Sequence, residues 1–348
     1  MTDTILIAHE GDVGRITLNR PRPLHSLTHE MCEVMSEALL AWREAGVAVV
    51  MIDHAEGTRG FCAGGDVVQA RRSALEDGGE AGRAFFYAEY RLNHLLFTYP
   101  VPIIAFMDGV TMGGGVGISL PARFRVATEN TRFAMPEGAI GLFPDVGAGW
   151  YLPRLPGQAG KFVALTGAKL DGAECLWAGL ATHYLQAERL AEAKQRIIAE
   201  PARTAEVLAD CAAEPPAARL AGNAERIDRL FAPDTLEGII SALSQNGSDW
   251  AAKELRAVCA KCPTSSKVAL RQFAMNVQMP DFAAEMALEY RLAARMMMRR
   301  DFAEGVRAVL VDRDNSPIWS PPAPEGVSEA MLEAIFVPLP VGEEWTPF

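Results

Sequence analysis

Two acidic residues interrupt the stretch Phe133 to Gly149, FAMPEGAIGLFPDVGAG, which is otherwise small, apolar and glycine-rich. The neighbours of Glu137 and Asp145 are Met135, Ile140, Leu142, Phe143 and Val146, not the Ser, Asn and Lys of a solvated loop. The setting predicts two partly buried carboxylates. Burying an ionised carboxylate is costly, so such a group has a cation, a cluster of donors or a catalytic task.

Two further stretches could work with them. GFCAGGDVVQA (60–70) and GVTMGGGVGISL (109–120) each follow an apolar strand-like run and lead into a helix-compatible one. Adjacent glycines, Gly64 and Gly65, let a ligand approach the backbone closely. A turn opening a helix at Gly113 to Gly115 presents N–H groups with partial positive charge, a ready place for an anion. Either turn alone is an ordinary connection. Together they could supply two converging N–H donors for the oxyanion or enolate formed when a thioester or ester carbonyl is attacked or deprotonated. Glu137 and Asp145 would then be the acid, base or nucleophile. Other chemistries fit less well: Ile118 stands where a dinucleotide fingerprint needs its third glycine. Pro121 stands where a nucleophile elbow needs its last, so Ser119 is not expected to attack.

The elements around these residues alternate. TILIAHEGDVGRITLN reads as a hairpin turning at Gly11 to Gly14, and LTHEMCEVMSEALLAWREAG as a helix with Thr28 as its N-cap and Gly46 as its stop. VAVVMIDH (47–54) reads as a buried strand. A helix near 82–98, a strand at 101–109, a helix near 114–121, a strand at 124–129 and the segment TRFAMP (131–136) continue the pattern, which predicts an α/β domain. From about residue 186 the reading turns almost wholly helical, ending in the proline-rich NSPIWSPPAPEG, expected to run extended. The chain is therefore divided into an α/β core, 1–190, and a helical C-terminal region, 191–348. The methionines 296–298 are expected to pack in a core or interface.

Composition narrows the function classes. With 49% hydrophobic and 22% charged residues the chain can build a large core. A net charge of −11 argues against nucleic acid or an anionic membrane as partner. A polyanionic ligand would need local cations, such as Arg15, Arg20 and Arg22 or Arg71 and Arg72. The six cysteines are scattered, and CAKC (259–262) lacks a second pair or a nearby histidine, so reduced thiols and no metal are expected. The opening residues show neither a basic n-region leading into an apolar run nor an Arg-rich transit pattern, and a cytoplasmic protein is expected.

The order FCAGGD, MGGGVG and FAMPEGAIGLFPDVGAGWYLPRLPG resembles the crotonase (enoyl-CoA hydratase/isomerase) superfamily. Within it, IGLFPDVG, YLPRLPG, GLATHY, PTSSKVALRQ and DFAEGVRAVLVDRDNSPIW resemble the 3-hydroxyisobutyryl-CoA hydrolase family over about residues 4 to 320. The resemblance implies a spiral of β-β-α units followed by a helical C-terminal region. It implies that Gly65 and Gly114 are the oxyanion-hole amides, that Glu137 and Asp145 are catalytic, and that Glu89, Ala63, Asp66 and Gly113 contact substrate, Asp66 chiefly by pinning its turn. The ligand implied is an acyl-CoA, coenzyme A being part of the substrate and no separate cofactor being needed. Hydratases of the superfamily carry a first Glu in the helix after the glycine turn, where this chain has Gly117; that favours hydrolysis of a short 3-hydroxyacyl thioester, in valine catabolism, over hydration. A hydratase or isomerase on an unsaturated acyl-CoA, and a non-catalytic binding protein that kept the fold, are the alternatives. Residues 195–263 are an insertion relative to short hydratases, and His25 replaces an Asn common in relatives. Helical C-terminal regions in the superfamily commonly build interfaces, which leaves a homo-oligomer open.

Overall fold

The structure, a computed structural model, describes residues 3–348. Strands β1 (Ile5–Glu10) and β2 (Val13–Leu18) form the expected antiparallel hairpin, with Gly11 at φ 62° in its turn. Thr28 accepts from the Met31 N–H and Gly46, at φ 74°, ends the helix His29–Ala45, so both caps lie where the sequence places them. The strands that follow are β3 (Val49–His54), β4 (Gly60–Cys62), β5 (Ile103–Met107), β6 (Val110–Met112), β7 (Phe124–Ala127), β8 (Arg132–Ala134) and β9 (His183–Tyr184).

From β3 onward the strands come in consecutive pairs. The first of each pair enters a sheet of order β1-β2-β3-β5-β7-β9, and the second enters a smaller sheet of order β4-β6-β8. All pairings after β1–β2 are parallel. The helices Val67–Glu76, Gly114–Ser119 and Gly172–Trp177 follow the three pairs along the chain. This is the spiral of β-β-α units. β9, only two residues long, carries too little pattern to be read from sequence.

After β9 every element is helical. By contacts, however, the chain forms two compact units, each gathered from separated stretches: the first from the residues up to Gly65, Leu92–Ala134 and Lys169–Gly222, the second from Asp66–Arg91, Met135–Ala168 and Asn223–Phe348. The first holds both sheets. Val13, Val49, Met51, Ile104, Phe106 and Val126 on its larger sheet are buried against Ile197, Leu208 and Cys211 of the helices Leu190–Ala199 and Thr204–Cys211. A buried carboxylate, Asp53, is satisfied there by Arg15 at 3.0 Å, Thr17 at 2.8 Å and Lys194 at 2.9 Å.

The second unit is helical. Pro263–Asn276 packs on Ala148–Tyr151 and Ala159–Thr166, and Arg300–Val306 packs on Val67–Glu76 and on a 3-10 turn, Glu137–Ile140. Met296 and Met297 are core residues, while Met298 is exposed. The segment 315–323 is irregular, as its prolines require, but Ser328 caps a further helix, Glu329–Phe336.

Candidate active site

In the first unit the smaller sheet brings the two glycine turns side by side. β4 and β6 are parallel neighbours, so the chain leaves both at the same end, through Ala63, Gly64 and Gly65 in one case and Gly113 and Gly114 in the other. Gly64, at φ 123°, is so close to the second turn that a Cβ there would lie 3.6 Å from Met112 O and 3.9 Å from Gly114 N. The first turn is fastened through Ala63 N–H to Leu24 O and Leu27 N–H to Gly64 O. No acceptor among the described residues receives the N–H of Gly65 or of Gly114. Two unspent amides in neighbouring turns have the chemistry of an anion site.

Gly117 lies buried in the helix Gly114–Ser119, whose sequence GGVGIS offers no carboxylate. His25 is also in this unit. It is fully buried, accepts from the Arg20 N–H at Nδ1 and contacts Thr58 Oγ1 through Nε2 at 2.9 Å. Burial and then His54 push it down to about 4. It is a neutral structural residue at ordinary pH. His183 likewise bonds Thr182 and packs on Phe124.

In the second unit three carboxylates named from the sequence come together. Glu89, Glu137 and Asp145 are 2%, 5% and 4% exposed, and each lies within electrostatic reach of at least one other. Glu89 projects from the helix Glu80–Phe97, and Glu137 opens the 3-10 turn that ends at Gly141. Asp145 precedes Val146, a non-glycine residue at φ 55°, and Gly147 at φ 90°. A β-branched residue held in the left-handed region is strained, of the kind that functional sites accumulate.

Their partners set an order of ionisation. The Tyr90 hydroxyl donates to Asp145 Oδ2 at 2.6 Å; burial raises Asp145 to about 6, and that hydrogen bond limits the rise. Burial raises Glu137 well above the ordinary range, with Asp145 adding to it and Lys261 opposing. Burial, Asp145 and Glu137 all raise Glu89, and nothing opposes them. Glu89 Oε1 and Glu137 Oε2 have no hydrogen-bond partner. Asp145, at about 6, therefore ionises before Glu137 and Glu89, which are both held well above the ordinary range. Such a cluster holds its protons more tightly than solvated carboxylates do and offers free carboxyl oxygens to a ligand.

Two more carboxylates stand behind Asp145. Glu285 and Glu289 of the helix Phe282–Met296 are fully buried. Burial, then Glu285 and Asp145, raise Glu289, while the N–H groups of Gly147 and Gly149 hold it down. The sequence reading passed over both, and Tyr90 as well. Their signal was available: Phe282, Glu285, Glu289, Leu292 and Met296 share one helical stripe, so the acids fall on an apolar face.

Other candidates are occupied elsewhere. Asp66 is the N-cap of Val67–Glu76, accepting from the Gln69 N–H. Of the candidate cations, Arg15 pairs with Asp53, Arg20 bonds Ser26, Arg71 bonds Ala303 O and Arg72 pairs with Glu76; Arg22 is exposed. Cys259 is exposed and Cys262 buried, and no group of His, Cys, Asp and Glu among the described residues is arranged to hold a metal. A groove of about 350 Å³ beside Glu237 and Lys267 has those two charges paired at 2.6 Å and includes none of the residues above.

The family profile described as enoyl-CoA hydratase/isomerase matches residues 13–336. A curated protein of Gallus gallus, named 3-hydroxyisobutyryl-CoA hydrolase, mitochondrial, is 41% identical over 96% of this chain and 89% of its own length. Among solved structures, one titled a carnitinyl-CoA dehydratase from Mycobacterium thermoresistibile is 38% identical, with a TM-score of 0.93 and 99% of both chains covered. Another, titled an enoyl-CoA hydratase from Rhodobacter sphaeroides 2.4.1, is 34% identical, with a TM-score of 0.91 and the same coverage. The parallel two-sheet spiral, the paired glycine turns and these full-length likenesses agree: the chain belongs to the enoyl-CoA hydratase/isomerase family.

Proposed function

We propose that this protein hydrolyses a short-chain 3-hydroxyacyl-CoA thioester, with 3-hydroxyisobutyryl-CoA, an intermediate of valine catabolism, as its substrate. The observation that carries the reading is the buried trio Glu89, Glu137 and Asp145, together with a helix after Gly113 that lacks the first Glu of a hydratase. The name of the Gallus gallus relative supports the same substrate.

In this reading the amides of Gly65 and Gly114 receive the thioester oxygen, Ala63 and Gly113 shape their turns against the acyl group, and Asp66 holds the first turn in place. Glu137 either attacks the carbonyl to give a mixed anhydride or takes a proton from an attacking water. On either route a tetrahedral oxyanion collapses, the C–S bond breaks and the thiolate leaves; on the anhydride route a water then cleaves the mixed anhydride, releasing the 3-hydroxy acid and restoring the Glu137 carboxylate, with one of the water's protons passing to the thiolate and the other to solvent. Asp145, the first of the three to ionise, accepts a hydrogen bond from the 3-hydroxyl, and Glu89, whose burial favours the protonated form, donates to the acyl group. On the general-base route, the proton taken by Glu137 returns to the thiolate. The whole reaction needs no metal or second cofactor. The cytoplasm is the proposed compartment, although the Gallus gallus relative is named mitochondrial; no helix among the described residues is long and apolar enough to cross a membrane.

The titles of the two solved structures favour a second reading, removal or addition of water at an acyl-CoA double bond. A side-by-side assay separates the two: thiol release from 3-hydroxyisobutyryl-CoA against loss of the crotonyl-CoA double bond. The hydrolase reading expects the first to be fast and the second near background, and the reverse result contradicts it.

A further inference from the structure

Glu285 and Glu289 lie one helical turn apart, both fully buried, and the reaction described above uses neither. They share the Gln272 amide but differ in their other partners. Glu285 accepts only from side chains, Asn276 Nδ2 at 2.8 Å and Gln272 Nε2 at 3.0 Å. Glu289 reaches the backbone: Oε2 accepts the Gly147 N–H at 2.7 Å, and Oε1 accepts the Gly149 N–H at 3.1 Å and Gln272 Nε2 at 2.9 Å. One carboxylate thus grips two amides of the turn that starts at Asp145.

That turn needs holding. It contains Val146 at φ 55° and Gly147 at φ 90°, a path the chain would not keep unaided. The fit around it leaves no slack, since a Cβ on Gly149 would lie 1.9 Å from Glu285 Oε1 and 2.3 Å from Gln272 Nε2. At the other end of the turn, Tyr90 fixes the Asp145 carboxylate at 2.6 Å. The side chain is therefore held from one direction and its backbone from another. Carboxylates that accept backbone N–H bonds make strong, directional contacts.

We propose that Glu289 is a positioning residue for the hydrolysis, clamping the Gly147–Gly149 turn and thereby fixing where Asp145 presents its carboxylate. The proposal rests on the reading that Asp145 takes part in the reaction.

Glu289→Gln in the full-length protein tests it. A carboxamide has one acceptor oxygen, and its NH2 must face either the Gly147 N–H or the Gly149 N–H with the Gln272 amide, so one backbone contact is lost in either orientation without changing size. Hydrogen exchange of the peptide containing Gly147 and Gly149 is expected to quicken. Misplacing a group that orients the substrate costs on the order of 10²-fold in rate, so kcat/KM is expected to fall by roughly that factor. KM is expected to rise as well, because Asp145 is the group that holds the 3-hydroxyl of the substrate. Glu285→Gln, which disturbs only side-chain partners, is expected to leave exchange at 147–149 and kcat/KM near wild type. If Glu289→Gln does not fold, Glu289→Asp, too short to hold both amides, carries the same test. Equal losses in the Glu285 and Glu289 variants, or a Glu289→Gln protein with unchanged exchange and kcat/KM, overturn the clamp. A wild type that releases no thiol overturns the hydrolase reading instead, and exchange at Gly147 and Gly149 still decides whether Glu289 holds the turn.

Discussion

Asp145 shows how burial and one hydroxyl set the behaviour of a single group. Its proton affinity in the folded chain, about 6, lies above the ordinary 3.8. Between those values the folded chain binds more protons than the unfolded one, so stability falls as pH rises through about 6 and is restored below the ordinary value. Asp145→Asn removes this penalty while leaving Tyr90 an acceptor. Its melting temperature is expected to exceed that of wild type at pH 8 and to converge with it towards pH 4; a constant difference across that range contradicts the assignment. The rate carries a separate signature. Glu137 must be ionised to act, and burial beside Asp145 holds its proton above the ordinary 4.5. The expected profile of kcat/KM therefore rises with pH through a midpoint above 4.5 that belongs to the interacting cluster, and falls again where Glu89 loses the proton it donates. Glu137 and Asp145 were legible in the sequence because charge in an apolar, glycine-rich run is conspicuous. Glu285 and Glu289, the two acids of FAAEMALEYRLAARM, are marked only by their helical register on the apolar stripe, a weaker signal than charge in a glycine-rich run.

Elements place these residues through close backbone approach. The 3-10 turn that carries Glu137 lies against the helix Arg300–Val306, and a Cβ on Gly305 would meet Ile140 C at 2.4 Å and its Cα at 2.6 Å. Overpacking of this kind costs about 1–3 kcal/mol. Gly305→Ala is expected to lower the urea midpoint by a matching amount and to reduce activity by moving the Glu137 turn. Gly222, in the helix Arg219–Leu230, has nothing within 4 Å of its Cβ position. There the same substitution is expected to stabilise by about 0.5–1 kcal/mol, since alanine loses less backbone freedom in a helix. Opposite signs for one chemical change would show that contact, not helix propensity, governs Gly305. The helix His29–Ala45 could be read to the residue because Thr28 and Gly46 are strong end signals. β9 could not, as its two residues are recruited by the edge of the sheet.

On the scale of the molecule, the α/β class was legible from the alternation of strand, turn and helix, whereas the spiral of β-β-α units was an implication of the family resemblance carried by the glycine motifs. The assembly of each compact unit from three stretches was not legible, because it depends on tertiary contacts between segments far apart in sequence. The amides of Gly65 and Gly114 are backbone groups with no chemical label of their own; only the repeated glycines after β4 and β6 marked them. What the whole chain does with these parts is best tested by the release of free thiol from 3-hydroxyisobutyryl-CoA, followed with a thiol reagent, for wild type and for Glu137→Gln. The expected result is rapid release by wild type and loss of at least about 10²-fold in kcat for the variant, the range in which one acid–base group contributes. Equal release by both proteins, or none by either with water adding to crotonyl-CoA, would contradict a thioesterase that works through Glu137.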